Sequence, residues 1–480
     1  MKNALLIFPP TDSNCPKDEM NRGPVLGLVA LKNYVTRVQG IDTKIDIIDG
    51  DYHSLEEIKK MIATNEYDIV GLQPMMSKYK NTLNIAAFAK TKGKQVILGG
   101  HHATQLAENI MKNRNEIIDC VIVRDGEEAF LKLIQGESFE NIPNLVYWQD
   151  GQVKKTEVQN MRRLYALTYL DPNDIAQYEK SNEKETDPYA TFRAYALKGC
   201  AFSCKKGRCS FCGRMDKGVR FKKPEDYVAE LRYMAENTKA NYIWEIGDDF
   251  LPNMKWVEKV IELLEKEPLK NNVEIRIFAR ADRINPKTVE YLKKLNVKQV
   301  VIGFESANDE ILKQIPKSIT AKDNMQAAEL LLKNGIEPVV NYVLGLPGET
   351  EQTLKKTLQQ AREIQKLTTK YLGRPPTAVV GNILEIVPGS DIYKKLLETY
   401  PKYKDKDDLD LYETLLDFLK TFPSIKDDLQ ARRFIKRLNF YSKEMGKLGE
   451  FREYAEGVTL DKGEENATKS LGKRNTIRSL

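Results

Sequence analysis

The chain has 480 residues, of which 41% are hydrophobic and 30% are charged. This is the balance of a globular protein of about three domains, and it excludes a disordered or collagen-like chain. The formal net charge of +6 is too weak a field to predict nucleic-acid binding. No apolar run approaches the roughly 20 residues that span a bilayer. The first residues do not resemble a signal peptide, so we expect a cytoplasmic protein.

The first 152 residues alternate short β-rich runs with segments of helical periodicity. The predicted strands are residues 4–8, 44–48, 68–72, 95–98 and 121–123. Regular alternation of strand and helix predicts an α/β fold with a doubly wound, Rossmann-like parallel sheet. Ligands of such sheets lie at the carboxyl ends of the strands, so the turns after Ile7, Leu72 and Leu98 are the expected binding edge.

Four further regions follow this domain. Residues 153–190 are polar and charged, and we predict a linker or strap. Residues 191–396 contain six strand-and-helix units, which predict a partial (β/α)6 TIM-like barrel. Residues 397–456 have helical periodicity and predict a small helical region. Residues 457–480 lack aromatic side chains and are rich in small and charged residues, which predicts a disordered tail.

Four of the six cysteines lie close together, directly after the first predicted strand of the barrel. They are Cys200, Cys204, Cys209 and Cys212. Clustered thiols in a chain without a secretion signal predict metal ligation rather than disulfides. One interpretation is a structural zinc site, for which four thiols so close together make a cramped tetrahedral cage. The other is an iron-sulfur cluster that three thiolates hold, with one iron left open.

The sequence around these cysteines resembles the signature of the radical S-adenosylmethionine (SAM) family, with Gly-Cys at its start and Ser-Phe-Cys at its end. The usual spacing of the family is Cys-x3-Cys-x2-Cys. Here an insertion separates the first interval, Cys200 to Cys204, from the second, Cys209 to Cys212. The resemblance implies a 4Fe-4S cluster on Cys200, Cys209 and Cys212, with Cys204 as the alternative first ligand.

Further features follow the later strands of the barrel, in the order in which the family places its SAM contacts. By this resemblance the SAM-binding residues are Phe211, Gly247, Asp248, Asp249, Arg280, Glu305, Gly345 and Pro388. The two aspartates would meet the amino group of SAM, Arg280 its carboxylate and Glu305 the ribose hydroxyls. The turns at Gly345 and Pro388 would frame the adenine. Each feature alone is weak evidence, but their order along the strands favours the family.

The first domain is similar to the cobalamin-binding domain of the cobalamin-dependent branch of that family. Gly-Gly-His-His-Ala-Thr at 99–104 and Arg-Asp-Gly-Glu-Glu at 124–128 resemble its recurrent turns. The implied cobalamin contacts are Gly99, Gly100, His101 and Thr104, because glycines let the backbone approach a macrocycle and a threonine can donate a hydrogen bond. The Asp-x-His-x-x-Gly turn of methyl-transferring cobalamin proteins is absent, so we expect no histidine ligand to cobalt.

The resemblance implies an enzyme with three cofactors: a 4Fe-4S cluster, SAM and cobalamin. An external donor such as flavodoxin or ferredoxin would supply electrons, and SAM would be cleaved reductively to a 5′-deoxyadenosyl radical. Methylation of an unactivated carbon is the favoured outcome, and cyclisation, oxidation or rearrangement is the alternative. A non-catalytic cobalamin- or zinc-binding sensor is the alternative of another class. The sequence does not distinguish between a peptide, a lipid and a small metabolite as the substrate.

Overall fold

The structure, a computed structural model, describes residues 1–13, 15, 23–161, 163–165, 167–182, 191–202, 209–214, 216 and 218–450. Cys204 and the predicted tail at 457–480 lie outside the described residues. Within these ranges no helix has the length and apolar character needed to cross a membrane.

The described elements alternate strand and helix over most of the chain. The strands are β1 Ala4–Phe8, β2 Ile45–Asp49, β3 Ile69–Leu72, β4 Gln95–Leu98, β5 Cys120–Ile122, β6 Leu145–Gln149, β7 Gln152–Lys155, β8 Thr191–Ala194, β9 Leu197–Lys198, β10 Arg220–Phe221, β11 Tyr242–Glu245, β12 Glu274–Phe278, β13 Val297–Glu305, β14 Glu337–Leu344 and β15 Val379–Ile383. The α-helices are α1 Leu26–Asn33, α2 Leu55–Ile62, α3 Tyr79–Thr91, α4 Gly100–Gln105, α5 Ala107–Arg114, α6 Glu127–Gln135, α7 Pro172–Asn182, α8 Pro224–Asn237, α9 Met254–Lys266, α10 Pro286–Lys294, α11 Asp309–Gln314, α12 Ala321–Lys333, α13 Glu351–Leu372, α14 Asp391–Thr399, α15 Leu411–Leu419 and α16 Asp428–Gly446.

The first sheet has the strand order β2-β1-β3-β4-β5-β6-β7, and β1 to β5 pair in parallel. These parallel strands are almost wholly buried, as expected for a sheet that carries helices on both faces. The predicted doubly wound sheet is therefore confirmed. Its strand order reverses between β1 and β3, where a doubly wound sheet forms its binding crevice.

A hairpin that the sequence analysis did not predict extends this sheet. β6 pairs antiparallel with β5 and with β7. Asp150 and Gly151 have positive φ angles of 52° and 75° and form its two-residue turn, the geometry that favours an Asp-Gly pair. β7 crosses the predicted domain boundary at residue 152, and α7 lies within the predicted linker.

The second sheet is fully parallel, with the order β15-β14-β13-β12-β11-β8. One face of its strands carries residues such as Ile277, Ile302 and Val340, which belong to the main apolar core. The opposite face carries a separate, smaller apolar cluster around Val301 and Val339. The six parallel strands confirm the predicted partial barrel, and the second cluster marks its inner face.

The carboxyl-terminal region packs against both α/β units. In α16, Tyr441 donates a hydrogen bond to Glu351 at the start of α13, over 2.7 Å. The segment before α15 contacts the first domain instead. There Asp407 accepts hydrogen bonds from Tyr79 at 2.9 Å and from Arg114 at 2.7 Å. This buried carboxylate ties the segment before α15 to the first domain.

Candidate active site

A cavity of about 320 Å³ lies between the carboxyl edge of the first sheet and the beginning of the barrel. It is lined by all four residues predicted to contact cobalamin: Gly99, Gly100, His101 and Thr104. From the barrel side, Gly247 and Asp248, both predicted to bind SAM, line the same cavity. Residues predicted to hold two different cofactors therefore share one space.

The glycine turn after β4 fits the close approach of a large, flat ligand. A Cβ atom at Gly99 would find only the carbonyl oxygen of Ile122, at 3.9 Å. Gly100 has a positive φ of 86°, and a Cβ there would lie 2.9 Å from Cγ of Gln73. Any side chain at 100 would therefore be strained and would displace Gln73, which also lines the cavity. The site fits cobalamin in this respect.

The neighbouring polar residues of this turn differ in their surroundings. Thr104 Oγ1 accepts a hydrogen bond from the backbone N–H of Arg124, at 3.1 Å, which leaves its own hydroxyl proton to donate. His101 lines the cavity, where desolvation and the Arg214 charge lower the pKa of its imidazole. His102 instead packs against Tyr79 with the two rings tilted by 52°, and burial lowers its pKa to about 4. Both imidazoles are therefore neutral at pH 7.

Asp248 and Asp249 follow β11 at the edge of the barrel. Asp248 Oδ1 pairs with Arg214, whereas its Oδ2 is buried without a hydrogen-bond partner among the described residues. Both oxygens of Asp249 also lack such a partner there, and the Arg283 guanidinium lies 3.8 Å from Oδ2. Burial raises the pKa of each carboxyl to about 6. Buried carboxylate oxygens without a hydrogen-bond partner are suited to accept hydrogen bonds from an ammonium group.

Arg280 and Glu305 already have ionic partners within the barrel. Arg280 donates two hydrogen bonds of 3.0 Å to Asp282, and a third of 2.7 Å to the carbonyl oxygen of Lys317. Lys317 Nζ in turn lies 2.5 Å from Glu305, and both side chains are buried. Because Asp282 occupies the fork of Arg280, a SAM carboxylate would have to share or replace that contact.

Phe211, Gly345 and Pro388 do not line the cavity, and neither do Asp249, Arg280 and Glu305. Gly345 has a positive φ of 97° and packs against Leu438 of α16. Pro388 is buried, and its carbonyl oxygen would lie 3.1 Å from a Cβ at Gly213. Phe211 is half-buried against the main apolar core. These placements connect the turns after β14 and β15 with the cysteine segment and the carboxyl-terminal helices.

The cysteine segment is anchored at its far end by short contacts. Cys212 donates its backbone N–H to Cys209 at 2.9 Å, and Ile392 of α14 donates to Ser210 at 3.0 Å. The Cys209 thiol lies close enough to Lys317, Glu305 and Arg280 to interact electrostatically with all three. Among the described residues no group of three or more His, Cys, Asp or Glu is arranged for a metal ion. The ligand set Cys200, Cys209 and Cys212 therefore stays a prediction.

Sequence reasoning missed a set of charged residues that joins the two α/β units. Asp125 accepts a hydrogen bond from Arg220 at 2.6 Å and pairs with Lys198 at 3.4 Å. Lys198 also pairs with Glu127 at 3.0 Å. Asp125 and Glu127 belong to the 124–128 turn, and Lys198 comes two residues before Cys200. No local signal identifies such pairs, because their members lie about 70 to 95 residues apart.

Two family models match the chain in sequence order. The model of the B12 binding domain matches residues 21–134. The model of the Radical SAM superfamily matches residues 198–361. The match over the partial barrel identifies a radical SAM domain. With the B12 binding domain before it, the chain belongs to the cobalamin-dependent radical SAM enzymes, which use SAM, a 4Fe-4S cluster and cobalamin.

Curated relatives include methyltransferases and a cyclase. An uncharacterized methyltransferase of Pyrococcus horikoshii is 26% identical over 75% of this chain and 78% of its own. The bacteriochlorophyllide d C-12(1)-methyltransferase of Chlorobaculum tepidum is 24% identical, over 64% and 65%. The anaerobic magnesium-protoporphyrin IX monomethyl ester cyclase of Rubrivivax gelatinosus is 25% identical, over 66% and 58%.

Two solved structures share the fold over most of this chain. The radical SAM methyltransferase TsrM from Kitasatospora setae has a TM-score of 0.66 at 14% identity, over 83% of this chain and 77% of its own. The cobalamin-dependent SAM radical enzyme OxsB has a TM-score of 0.67 at 16% identity, over 99% and 75%. At such identities the likeness concerns the fold.

Proposed function

We propose that this enzyme methylates an unactivated carbon of its substrate. The observation that carries the proposal is the shared cavity, which is lined from one side by the predicted cobalamin turn and from the other by Gly247 and Asp248. A carbon atom in this space would be close to both cofactors. Relatives named as methyltransferases support the same outcome.

Two sets of residues are proposed to hold the cluster and SAM. Cys200, Cys209 and Cys212 would hold the cluster, with Cys204 as the alternative first ligand. Asp248 and Asp249 would bind the ammonium group of SAM, since their carboxylates have buried oxygens left to accept. When bound, the cluster would supply an electron for SAM cleavage, and cobalamin would carry the methyl group to be transferred.

The proposed reaction balances with two molecules of SAM and two electrons. One SAM is reduced to 5′-deoxyadenosine and methionine, and its 5′ carbon takes a hydrogen atom from the substrate. The other SAM gives up its methyl group and leaves as S-adenosylhomocysteine. The substrate exchanges C–H for C–CH3, its hydrogen atom ends on 5′-deoxyadenosine, and the two electrons balance the positive charges of the two sulfonium groups, so no proton is released or taken up. We propose flavodoxin or ferredoxin as the donor, and a cytoplasmic location because reactive thiols need a reducing compartment.

Assays with SAM labelled in its methyl group test this function. Once a substrate is found, methylation predicts labelled product together with equal amounts of 5′-deoxyadenosine and S-adenosylhomocysteine. Cyclisation, which the cyclase relative represents, predicts 5′-deoxyadenosine without labelled product or S-adenosylhomocysteine. Turnover of that second kind would overturn the methylation proposal while keeping the enzyme class.

The metal ligands can be tested without a substrate. We would purify the protein without oxygen, reconstitute it, and measure iron, sulfide, zinc and cobalamin in wild type, Cys204→Ala and Cys200→Ala. The proposed ligand set predicts loss of the cluster in Cys200→Ala and retention in Cys204→Ala. The reverse result would make Cys204 the first ligand. Stoichiometric zinc without iron or corrinoid would favour a non-catalytic sensor.

A further inference from the structure

The cavity between the two α/β units has a charged wall. The charged residues that line it are Arg124, Asp125, Glu127, Lys198, Arg214, Asp216 and Asp248. All but Arg124 form ion pairs with neighbouring side chains, such as Lys198 with Glu127 and Arg214 with Asp248. Arg124 is exposed, and its side chain forms neither an ion pair nor a hydrogen bond with any residue that the structure describes. Its positive charge is therefore available to a ligand.

The backbone around Arg124 is held in place on both sides. The N–H of Val123 donates to the carbonyl oxygen of Asn144 at 2.8 Å, and Nδ2 of Asn144 donates to the carbonyl oxygen of Asp125 at 2.6 Å. The N–H of Arg124 itself donates to Oγ1 of Thr104 at 3.1 Å. These bonds fix the point from which the Arg124 side chain starts, so little backbone freedom would be lost when its guanidinium binds a ligand.

Arg124 has a strained backbone conformation, with a positive φ of 63°. Residues with a Cβ atom rarely adopt this region, and Asn and Asp tolerate it best. Among the described residues, most other non-glycine residues with a positive φ are indeed Asn or Asp. Glycine would relieve the strain at 124 but would remove the charge. Strain of this kind is concentrated at ligand sites, where the side chain is needed despite its cost.

Arg124 lies next to the predicted cobalamin turn. β4 and β5 are neighbours in the first sheet, and Arg124 follows β5 as Gly99 and Gly100 follow β4. The bond from Arg124 to Thr104 joins the two turns directly. Arg124, Gly100 and Thr104 also line the same cavity. A ligand that approaches the glycine turn would therefore come close to the positive charge of Arg124.

The chemistry of cobalamin offers one group that matches this charge. The amide side chains of the corrin ring are neutral, whereas the phosphodiester that joins the ring to the nucleotide base is an anion. A planar guanidinium can donate two parallel hydrogen bonds to a phosphate. The carboxylate of SAM is the other anion expected in this enzyme, but its predicted partner Arg280 belongs to the barrel and does not line the cavity.

We propose that Arg124 binds the phosphodiester of the cobalamin nucleotide loop and makes the site selective for corrinoids that carry this phosphate. This assignment rests on the proposed function, because it takes the shared cavity as the cobalamin site. Arg124 is a binding residue in this proposal and takes no part in the transfer of the methyl group. Its contribution is to the affinity for the cofactor and to the choice among corrinoids.

Binding of three corrinoids to the full chain tests the assignment. Methylcobinamide lacks the phosphate and the base, methylcobinamide phosphate has the phosphate alone, and methylcobalamin has both. Equilibrium dialysis against protein reconstituted with its cluster but free of cobalamin would measure their affinities. We expect the phosphate to strengthen binding of cobinamide at least about tenfold, the weight of one charged hydrogen bond. Equal affinity for cobinamide and its phosphate, or no binding of any corrinoid, overturns the proposal.

Variants assign the effect to Arg124. Arg124→Gln should lose about tenfold in affinity for cobinamide phosphate and leave cobinamide unchanged, whereas Arg124→Lys should fall between because it keeps the charge without the planar fork. Arg124→Gly should lose the same preference without a lower thermal midpoint, because glycine adopts the positive φ freely. Arg362→Gln, an exposed arginine of α13, is the matched control and should bind as wild type does. A full phosphate preference in Arg124→Gln overturns the proposal.

Further measurements separate this proposal from its premise. Iron and sulfide contents and the thermal midpoint show whether each variant is folded and holds its cluster. SAM affinity should be unchanged in Arg124→Gln, and a loss of SAM affinity with corrinoid affinity intact would make Arg124 a SAM residue and overturn the proposal. Phosphate-selective corrinoid binding without labelled-methyl transfer would leave the phosphate site assigned and the proposed reaction wrong. Methyl transfer with no preference for the phosphate would do the opposite.

Discussion

Gln105 Nε2 donates a hydrogen bond to the carbonyl oxygen of Gly213 over 2.8 Å. Gln105 ends α4, the helix that starts within the predicted cobalamin turn, and Gly213 directly follows the predicted cluster ligand Cys212. Gln105 also fills the space beside Gly389, where a Cβ would lie 2.2 Å from its amide atoms. A single side chain of the first domain therefore contacts both the cysteine segment and the turn after β15.

Removing this side chain should loosen the contact between the domains. Gln105→Ala loses one hydrogen bond, about 1 kcal/mol, so we expect a few-fold weaker retention of cobalamin. Gel filtration of the reconstituted protein followed by absorbance of the corrinoid measures it. Gln359→Ala, an exposed glutamine of α13, is the matched control and should retain as much cobalamin as wild type. Equal retention by both variants would show that the contact does not support the cobalamin site.

Low pH should weaken the contact between the two domains, because it protonates Asp125. Burial opposes ionisation of this carboxyl, but Arg220 and Lys198 outweigh that effect and hold its pKa below the usual value. Its stabilising contribution is therefore present above the unfolded pKa of about 3.9 and is lost as the pH falls through the folded pKa. We expect the thermal midpoint of wild type to fall steeply below about pH 4.

Asp125→Asn isolates this effect. It removes the nearest carboxylate from Arg220, which keeps Asp216 at 3.3 Å, so we expect a loss of about 2 kcal/mol at neutral pH, the weight of a charged hydrogen bond, and a shallower acid transition. Asp405→Asn, whose side chain is 79% exposed, should follow the wild-type curve. If the thermal midpoint of Asp125→Asn fell as steeply below about pH 4 as that of wild type, another carboxyl would be responsible for the acid sensitivity.

SAM binding should strengthen as the pH rises through about 6. Burial raises the pKa of Asp248 and of Asp249 to about 6, and only their ionised forms attract an ammonium group. The same raised pKa values favour the folded state at low pH, and that contribution is lost as the pH rises from about 4 to about 6. Affinity and stability should therefore change in opposite directions. Equilibrium dialysis with SAM at several pH values tests this, and a flat profile would contradict it.

Asp248→Asn is the variant for that experiment. It should lower SAM affinity about tenfold above pH 7, the weight of a charged hydrogen bond, and flatten part of the pH dependence. Asp427→Asn at the start of α16 is an exposed control far along the chain and should leave the profile unchanged. If Asp248→Asn kept the full profile, the effect would belong to Asp249 or to another group.

Removing Lys317 should destabilise the barrel more than removing an exposed lysine. Lys317 and Glu305 form a pair in which each side chain is only 9% exposed. Lys317→Met leaves the Glu305 charge buried and unpaired, which costs about 3 to 5 kcal/mol. The double variant Lys317→Met with Glu305→Gln should recover part of this loss. Denaturant unfolding measures it, with Lys313→Met, whose side chain is 68% exposed, as the control without measurable change.

The regular parts of both sheets could be predicted because their patterns are strong. β1 and β4 have the predicted bounds, since a compact apolar run between polar residues specifies a buried strand. The β6–β7 hairpin was missed although Asp150 and Gly151 carry its turn signal. A period-2 run beside that pair would have identified it.

The arrangement of the site could not be predicted from the sequence, for a different reason. Turns after parallel strands could be placed at one edge, and within those turns the resemblance to the family made Asp248 and Gly99 candidates. Their meeting in one cavity depends on how two sheets pack, and that packing rests on pairs such as Asp125 with Arg220. The partner of Arg280 was also unforeseen, because an Asp two residues later is equally common in an ordinary turn.

The bond from Tyr79 to Asp407 spans 328 positions of the chain. The first sheet is complete at residue 155, and domains generally fold as units during synthesis, amino-terminal first. We therefore expect the first domain to fold on the ribosome well before Asp407 emerges to fasten it. Its cavity edge would be uncovered during that interval, so the order of synthesis itself provides a period in which a bulky cofactor can enter before the barrel closes over it.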